Sequence, residues 1–191
     1  MVMWATAIDK SPCVYLAGPL GFSEAGRYFV RDFLVPEIVR RGFEPVDPFS
    51  LTDPHKIETI KAMPPGEARL KAWQDLNREI GETNRAAIDR CDLIVAVLDG
   101  PDVDSGTASE VGYGFAQHKR IVGYRSDFRM SSDDEGGKVN LQVEYFIRSS
   151  GGTIVASVRE LGDELSRLAQ TTPVPKDRKE SVESRKRTRR C

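Results

Sequence analysis

The sequence predicts an α/β protein: a single doubly wound domain in which a mainly parallel, five-stranded sheet is flanked by helices. Three observations carry this expectation. Short apolar runs alternate along the chain with longer segments whose apolar residues recur at helical spacing. The run Leu93-Ile-Val-Ala-Val-Leu98 is apolar without a break, as suits the centre of a parallel sheet covered on both faces. A chain of 191 residues, 39% hydrophobic and 30% charged, is long enough for one domain with a real core.

The elements follow in order. Val14-Tyr-Leu-Ala17 reads as a first strand stopped by Gly18-Pro19. Ser23 can cap a helix with Phe29, Phe33 and Ile38 along one side and Gly42 at its end, and Pro36 should kink it or stop it early. Phe43 to Val46 is a second strand before Asp47-Pro48. Residues 49–66, rich in Pro, Asp and Thr, read as a long loop over one face, a common place for substrate contacts. From Glu67 to Arg90, Leu70, Trp73, Leu76, Ile80 and Ile88 recur at helical spacing, with Gly81 as the weak point of that helix. After the central strand come a turn, a helix from Gly106 to Gln117, a strand from Arg120 to Tyr124 and a polar loop over 126–138. A helix from Leu141 to Ser149, a strand from Thr153 to Ala156 and a helix from Val158 to Ala169 complete the pattern, which is flavodoxin/Rossmann-like. In such sheets ligands bind beyond the carboxyl ends of the strands, where Gly18, Gly100 and the 125–140 loop should emerge.

Residues 1–12 read as an N-terminal extension, 13–170 as the folded domain and 171–191 as a disordered basic tail. The near-zero net charge hides a split. Residues 1–170 carry 20 Lys and Arg against 26 Asp and Glu, net −6, whereas residues 171–191 carry 8 against 3, net +5. The tail is read as solvated, with nucleic acid not expected as a partner. Without a membrane-length apolar run or a signal-peptide pattern, a soluble cytoplasmic protein is expected. Cys13, Cys91 and Cys191 lack metal or redox spacing and are odd in number, so they read as reduced thiols, the first two as small buried hydrophobes.

Chemistry is concentrated after the central strand. Asp99, Asp102 and Asp104 lead into Gly106-Thr107, which opens a helix whose first turn offers free backbone N–H groups. Glu110 follows in about the second turn and should face the same crevice. Its bland reading is a carboxylate favoured by the helix dipole. The small residues Gly106, Ala108, Gly112 and Gly114 let the helix approach the sheet and leave room above it for a ligand. A carboxylate beside such a cleft can attack an anomeric carbon. No Gly-x-Gly-x-x-Gly follows the first strand, which argues against a dinucleotide-dependent dehydrogenase.

Over about residues 12–165 the chain resembles the nucleoside 2-deoxyribosyltransferases. The resemblance rests on Tyr15-Leu-Ala-Gly-Pro-Leu20 with Phe22, the Cys91-Asp92 strand entry, Asp104-Ser-Gly-Thr-Ala-Ser-Glu-Val-Gly112 and Asn140-Leu141. It implies that Glu110 is the nucleophile, that Tyr15 orients it, and that Asp104 and Asn140 hold the sugar 5′-hydroxyl, with Asn140 lent by a neighbouring subunit of a homo-oligomer. Gly18, Phe22 and Gly106 then line the substrate site. Nucleosides and free nucleobases would be the ligands, and no metal or organic cofactor would be needed. One departure concerns the base: where well-known members place an aspartate, this chain has Asn84, which cannot act as a general acid. Asp47 is a further candidate for base contact. Two alternatives remain open, an N-glycosidase acting on nucleoside 5′-monophosphates and a non-catalytic nucleoside-sensing module.

Overall fold

The computed structural model describes residues 11–171. The expected N-terminal extension falls mostly outside these residues, and the basic tail does so almost entirely. Five strands form one sheet in the order β2-β1-β3-β4-β5: β1 (Cys13–Ala17), β2 (Glu44–Val46), β3 (Leu93–Val97), β4 (Arg120–Tyr124) and β5 (Ile154–Val155). Every neighbouring pair is parallel, β1 and β3 meeting in the register Val14↔Leu93 to Ala17↔Ala96. The order reverses between β1 and β3, so loops leaving these two strands diverge to opposite sides and open a crevice.

Alternation along the strands sorts their side chains into two cores. Tyr15, Ala17, Ile94, Ala96 and Ile121 pack with Ile88 of α4 (Glu67–Arg90), Val111 of α5 (Ser105–Ala116) and Ile147 of α6 (Leu141–Ser149). On the opposite face Val14, Leu16, Val95, Val97 and Val122 pack with Leu34, with Ile38 of α2 (Val35–Arg40), and with Leu161, Leu165 and Leu168 of α7 (Val158–Thr171). All five residues of β3 are buried, as its unbroken apolar run requires. A Cβ on Gly114 would collide with Ile94, so the small residues of α5 do let it lie close on the sheet.

Several sequence expectations are corrected. Residues 49–66 are not one loop: a 3-10 turn, Pro48–Ser50, is followed by helix α3 (Pro54–Ala62). Asp53 caps α3 by accepting from His55 N–H at 2.9 Å, and Pro54 sits in its first turn, where a missing N–H costs nothing. Pro36 does not stop its helix. Between α1 (Glu24–Phe29), capped by Ser23, and α2 lies a π-helical turn, Val30–Leu34, closed by Val35 N–H on Val30 O. Helix α4 runs through Gly81 unbroken. The reduced-thiol expectation also fails for two cysteines. Cys13 and Cys91 form a disulfide, with Cα atoms 4.8 Å apart and a sequence separation of 78. Pairing of β1 with β3 brings the two positions together, a proximity that linear spacing cannot reveal. Among the described residues, no helix is long and apolar enough to cross a membrane.

Candidate active site

The carboxyl ends of β1 and β3 gather most of the residues singled out from the sequence. Tyr15 sits in the third position of β1 with its side chain fully buried toward α4 and α5. Its hydroxyl donates to Glu110 Oε1 at 2.5 Å. Glu110, in the second turn of α5, is half-buried and has no other hydrogen-bond partner among the described residues. One carboxylate oxygen is thus fixed by the sheet and the other is left open.

Burial and charge set the protonation of this pair. Burial pushes the Glu110 carboxyl up, the Tyr15 hydrogen bond pulls it back, and the negative charge of Asp104 adds to the rise, leaving it at about 7. Burial raises the Tyr15 phenol far above its ordinary value, with Glu110 and then Asp47 adding their charges. Tyr15 is therefore a neutral donor at any working pH. The pair can hold a carboxylate that is ionised near neutrality yet poorly solvated, a condition that favours nucleophilic attack.

Asp104 caps α5. Its Oδ2 accepts from Thr107 N–H at 3.0 Å and from Thr107 Oγ1 at 3.2 Å, while Gly106, exposed in the first turn, would crowd the same oxygen if it carried a side chain. Thr107 is buried and was not anticipated; a threonine three positions after a capping aspartate is its sequence signal. Asp47 follows β2 and caps the 3-10 turn, accepting from Phe49 N–H at 3.0 Å.

A shallow pocket opens on the α1–α2 side of β1, lined by Gly18, Gly21, Asp47, Phe49 and Val97 among others. Tyr15 and Glu110 lie outside its lining, on the α4–α5 side, and the charge of Asp47 reaches both regions. Any Cβ on Gly18 would press into Val97, and one on Gly21 would fall within the ring of Phe49. The exposed ring of Phe22 stands edge-on to Phe49, centroids 4.8 Å apart. Phe49 had no signal in the sequence beyond lying in a segment expected to touch substrate.

Two expected residues make no hydrogen bond to the Tyr15–Glu110 pair. Asn84 is half-buried in the middle of α4 and makes no hydrogen bond to Tyr15 or Glu110. Asn140 is exposed and caps α6, its Oδ1 accepting from Gln142 N–H at 3.0 Å and Val143 N–H at 3.4 Å.

The chain is similar to several known proteins. A family model described as nucleoside 2-deoxyribosyltransferase matches residues 14–142. An uncharacterised protein of Schizosaccharomyces pombe is 38% identical over 126 residues, which are 63% of this chain and 53% of that protein, so the chain spans about half the length of this curated relative. Among solved structures, a conserved protein from Enterococcus faecalis superposes with a TM-score of 0.57 at 24% identity, covering 83% of this chain and 99% of its own. A 2-desoxiribosyltransferase from Leishmania mexicana gives 0.57 at 19% identity, covering 85% and 99%. A 2-deoxyribosyltransferase from Bacillus psychrosaccharolyticus gives 0.55 at 16%, covering 79% and 90%.

Proposed function

The chain belongs to the nucleoside 2-deoxyribosyltransferase family, and we propose that it exchanges the nucleobase of 2′-deoxynucleosides with Glu110 as nucleophile. The observation that carries this reading is the Tyr15–Glu110 hydrogen bond at 2.5 Å, which leaves one oxygen of a half-buried carboxylate open at the head of the crevice.

In the first step the open oxygen of ionised Glu110 bonds to C1′ as the C1′–N bond breaks. The bonding pair leaves with the base, which takes up a proton from solvent. The product is a deoxyribosyl ester of Glu110. A nitrogen of a second base then attacks C1′ from the opposite face, expelling the carboxylate and releasing its own proton to solvent, so two inversions retain configuration. Tyr15 holds the attacking group throughout. Asn84 can hydrogen-bond a base but cannot protonate it. The Phe22–Phe49 pair offers an apolar edge on which a base can rest, with Asp47 beside it.

Asp104 favours an unphosphorylated sugar. Its carboxylate already satisfies the Thr107 donors that a phosphate would seek at the head of α5, and its charge opposes a phosphate by on the order of 4 kcal/mol for unit charges about 4 Å apart. Its Oδ1 remains available to a 5′-hydroxyl. Exposed Asn140, next to exposed Leu141 and Tyr145, supports the view that it is lent to a second subunit.

The test is to incubate the protein with deoxyinosine and free adenine and to follow products by chromatography. Deoxyadenosine is the expected product. Free deoxyribose alone would mean a hydrolase, and bound substrate without base release a sensing module. Turnover of deoxyinosine 5′-monophosphate in clear preference to deoxyinosine would overturn the role given to Asp104.

A further inference from the structure

Arg125, the residue after β4, is 6% exposed and donates entirely to main-chain carbonyls among its described hydrogen bonds. One guanidinium nitrogen bonds Leu98 O; another reaches Gly100 O at 3.3 Å and Arg129 O at 2.6 Å. The opposite charge answers it one residue along. Asp99 Oδ1 accepts from Ser126 N–H at 2.6 Å and Asp127 N–H at 2.8 Å, and its Oδ2 accepts from Ser126 Oγ at 2.7 Å. A cation on the β4 exit thus grips the carbonyls of the β3 exit, while an anion on the β3 exit grips the amides of the β4 exit.

These two exits lead to different parts of the candidate site. Four residues beyond Gly100 lies Asp104, the cap of the helix that bears Glu110. Beyond Arg129 the chain runs to Asn140. Its far end is anchored too, since Glu144, 9% exposed, accepts from Lys138 N–H at 2.7 Å and from Arg148. The segment between Arg125 and Asn140 is therefore held at both ends, with the front anchor shared with the Asp104 loop.

We propose that Arg125 and Asp99 are positioning residues that fix the height of the Asn140-bearing segment against the loop carrying Asp104. The inference rests on the reading of Asp104 and Asn140 as the groups that hold the sugar. In an assembly of identical subunits, it sets each subunit's own Asp104 relative to the Asn140 it lends to its partner. Loosening the latch weakens sugar binding before it slows the chemistry at Glu110.

Asp99→Ala is the variant of choice, because Asp99 is only half-buried; Arg125→Lys, which keeps one charged donor, is the second variant should Asp99→Ala fail to fold. Wild type, Asp99→Ala, Asn140→Ala and the double variant are compared by steady-state base exchange and by amide hydrogen exchange of the unliganded protein. Asp99→Ala is expected to raise KM for the nucleoside about tenfold with kcat changed less than about threefold, and the double variant to be no worse than Asn140→Ala. Amides of residues 126–139 should exchange about tenfold faster while those of α7 do not change. A lower melting temperature with unchanged KM, or fully additive effects in the double variant, overturns the proposal. So does unchanged exchange at 126–139, which reads the latch without substrate; a wild-type protein that exchanges no base overturns the enzymatic reading instead.

Discussion

At the amino ends of β1 and β3 the chain is closed by links that leave little unsatisfied. Cys13 is bonded to Cys91, Cys13 N–H donates to Asp92 Oδ2 at 2.8 Å, Asp92 N–H donates to Cys13 O at 2.8 Å, and Lys119 Nζ sits on the carbonyls of Asp89 and Cys91. At the carboxyl ends the same strands run toward Asp47, Asp99, Asp104 and Glu110. Three of these carboxylates are spent on capping or latching main-chain amides, and the fourth is pressed into a half-buried position beside another negative charge. One end is arranged for stability. The other holds a group that the fold would be more stable without, as expected of a reactive site.

Breaking each end should separate these roles. Glu110→Ala is expected to lower base exchange by about a thousandfold or more while leaving the circular dichroism spectrum intact and the melting temperature no lower than that of the wild type. At the opposite end, replacing both Cys13 and Cys91 with Ala should cost about 4 kcal/mol of stability, because the link closes a long loop of the unfolded chain. Denaturant unfolding with and without reductant checks this, and activity per folded molecule should not change. Disulfides persist in oxidising surroundings, so the same measurement in a glutathione buffer of cytosolic poise bears on the compartment in which the bond survives.

Subtler changes sharpen the contrast. With Glu110 as the proposed nucleophile, wild-type kcat/KM should rise with pH through about 7, because only an ionised carboxylate can attack. Tyr15→Phe removes the one interaction that lowers the Glu110 pKa, so the acid limb should move to higher pH, and the rate at pH 7 should fall about ten- to a hundredfold. The smallest expected effect is on stability. Glu110 binds its proton more tightly folded than unfolded, so its contribution is fully present below about 4.5 and is lost as pH rises through about 7. Glu110→Gln should therefore stabilise the protein by about 1–2 kcal/mol at pH 8 and by little at pH 4, after allowing for partial solvent access. Thermal melts at the two pH values check the sign.

Legibility differed between the ends for a physical reason. The strands and α5 could be read because an apolar run or a helical period is a local property, and residues 104 to 110 lie in one stretch. The bond between Cys13 and Cys91 and the exchange between Asp99 and Arg125 depend on which strands are neighbours, which no local pattern records. Helix α3 had its start signal in Asp53-Pro54, but Pro and Asp also mark loops, and the surrounding Thr and Ser favoured that reading. The Tyr15–Glu110 contact spans 95 residues. It was reached through the family pattern rather than through spacing, and Phe49 had no comparable pattern to announce it.

The π-helical turn Val30–Leu34 bears on how this domain can change length. A turn of this kind carries one residue more than an α-helix needs, and it ends just before Pro36, whose ring would otherwise press on a carbonyl of the preceding turn. The extra residue and the proline are thus a matched pair. A deletion within 31–33 would tighten the helix back to regular winding while keeping Phe29 and Ile38 in phase, but only in a chain that had also given up Pro36. Because Val30 and Leu34 form part of the pocket wall, such a paired change would reshape the wall without moving the sheet.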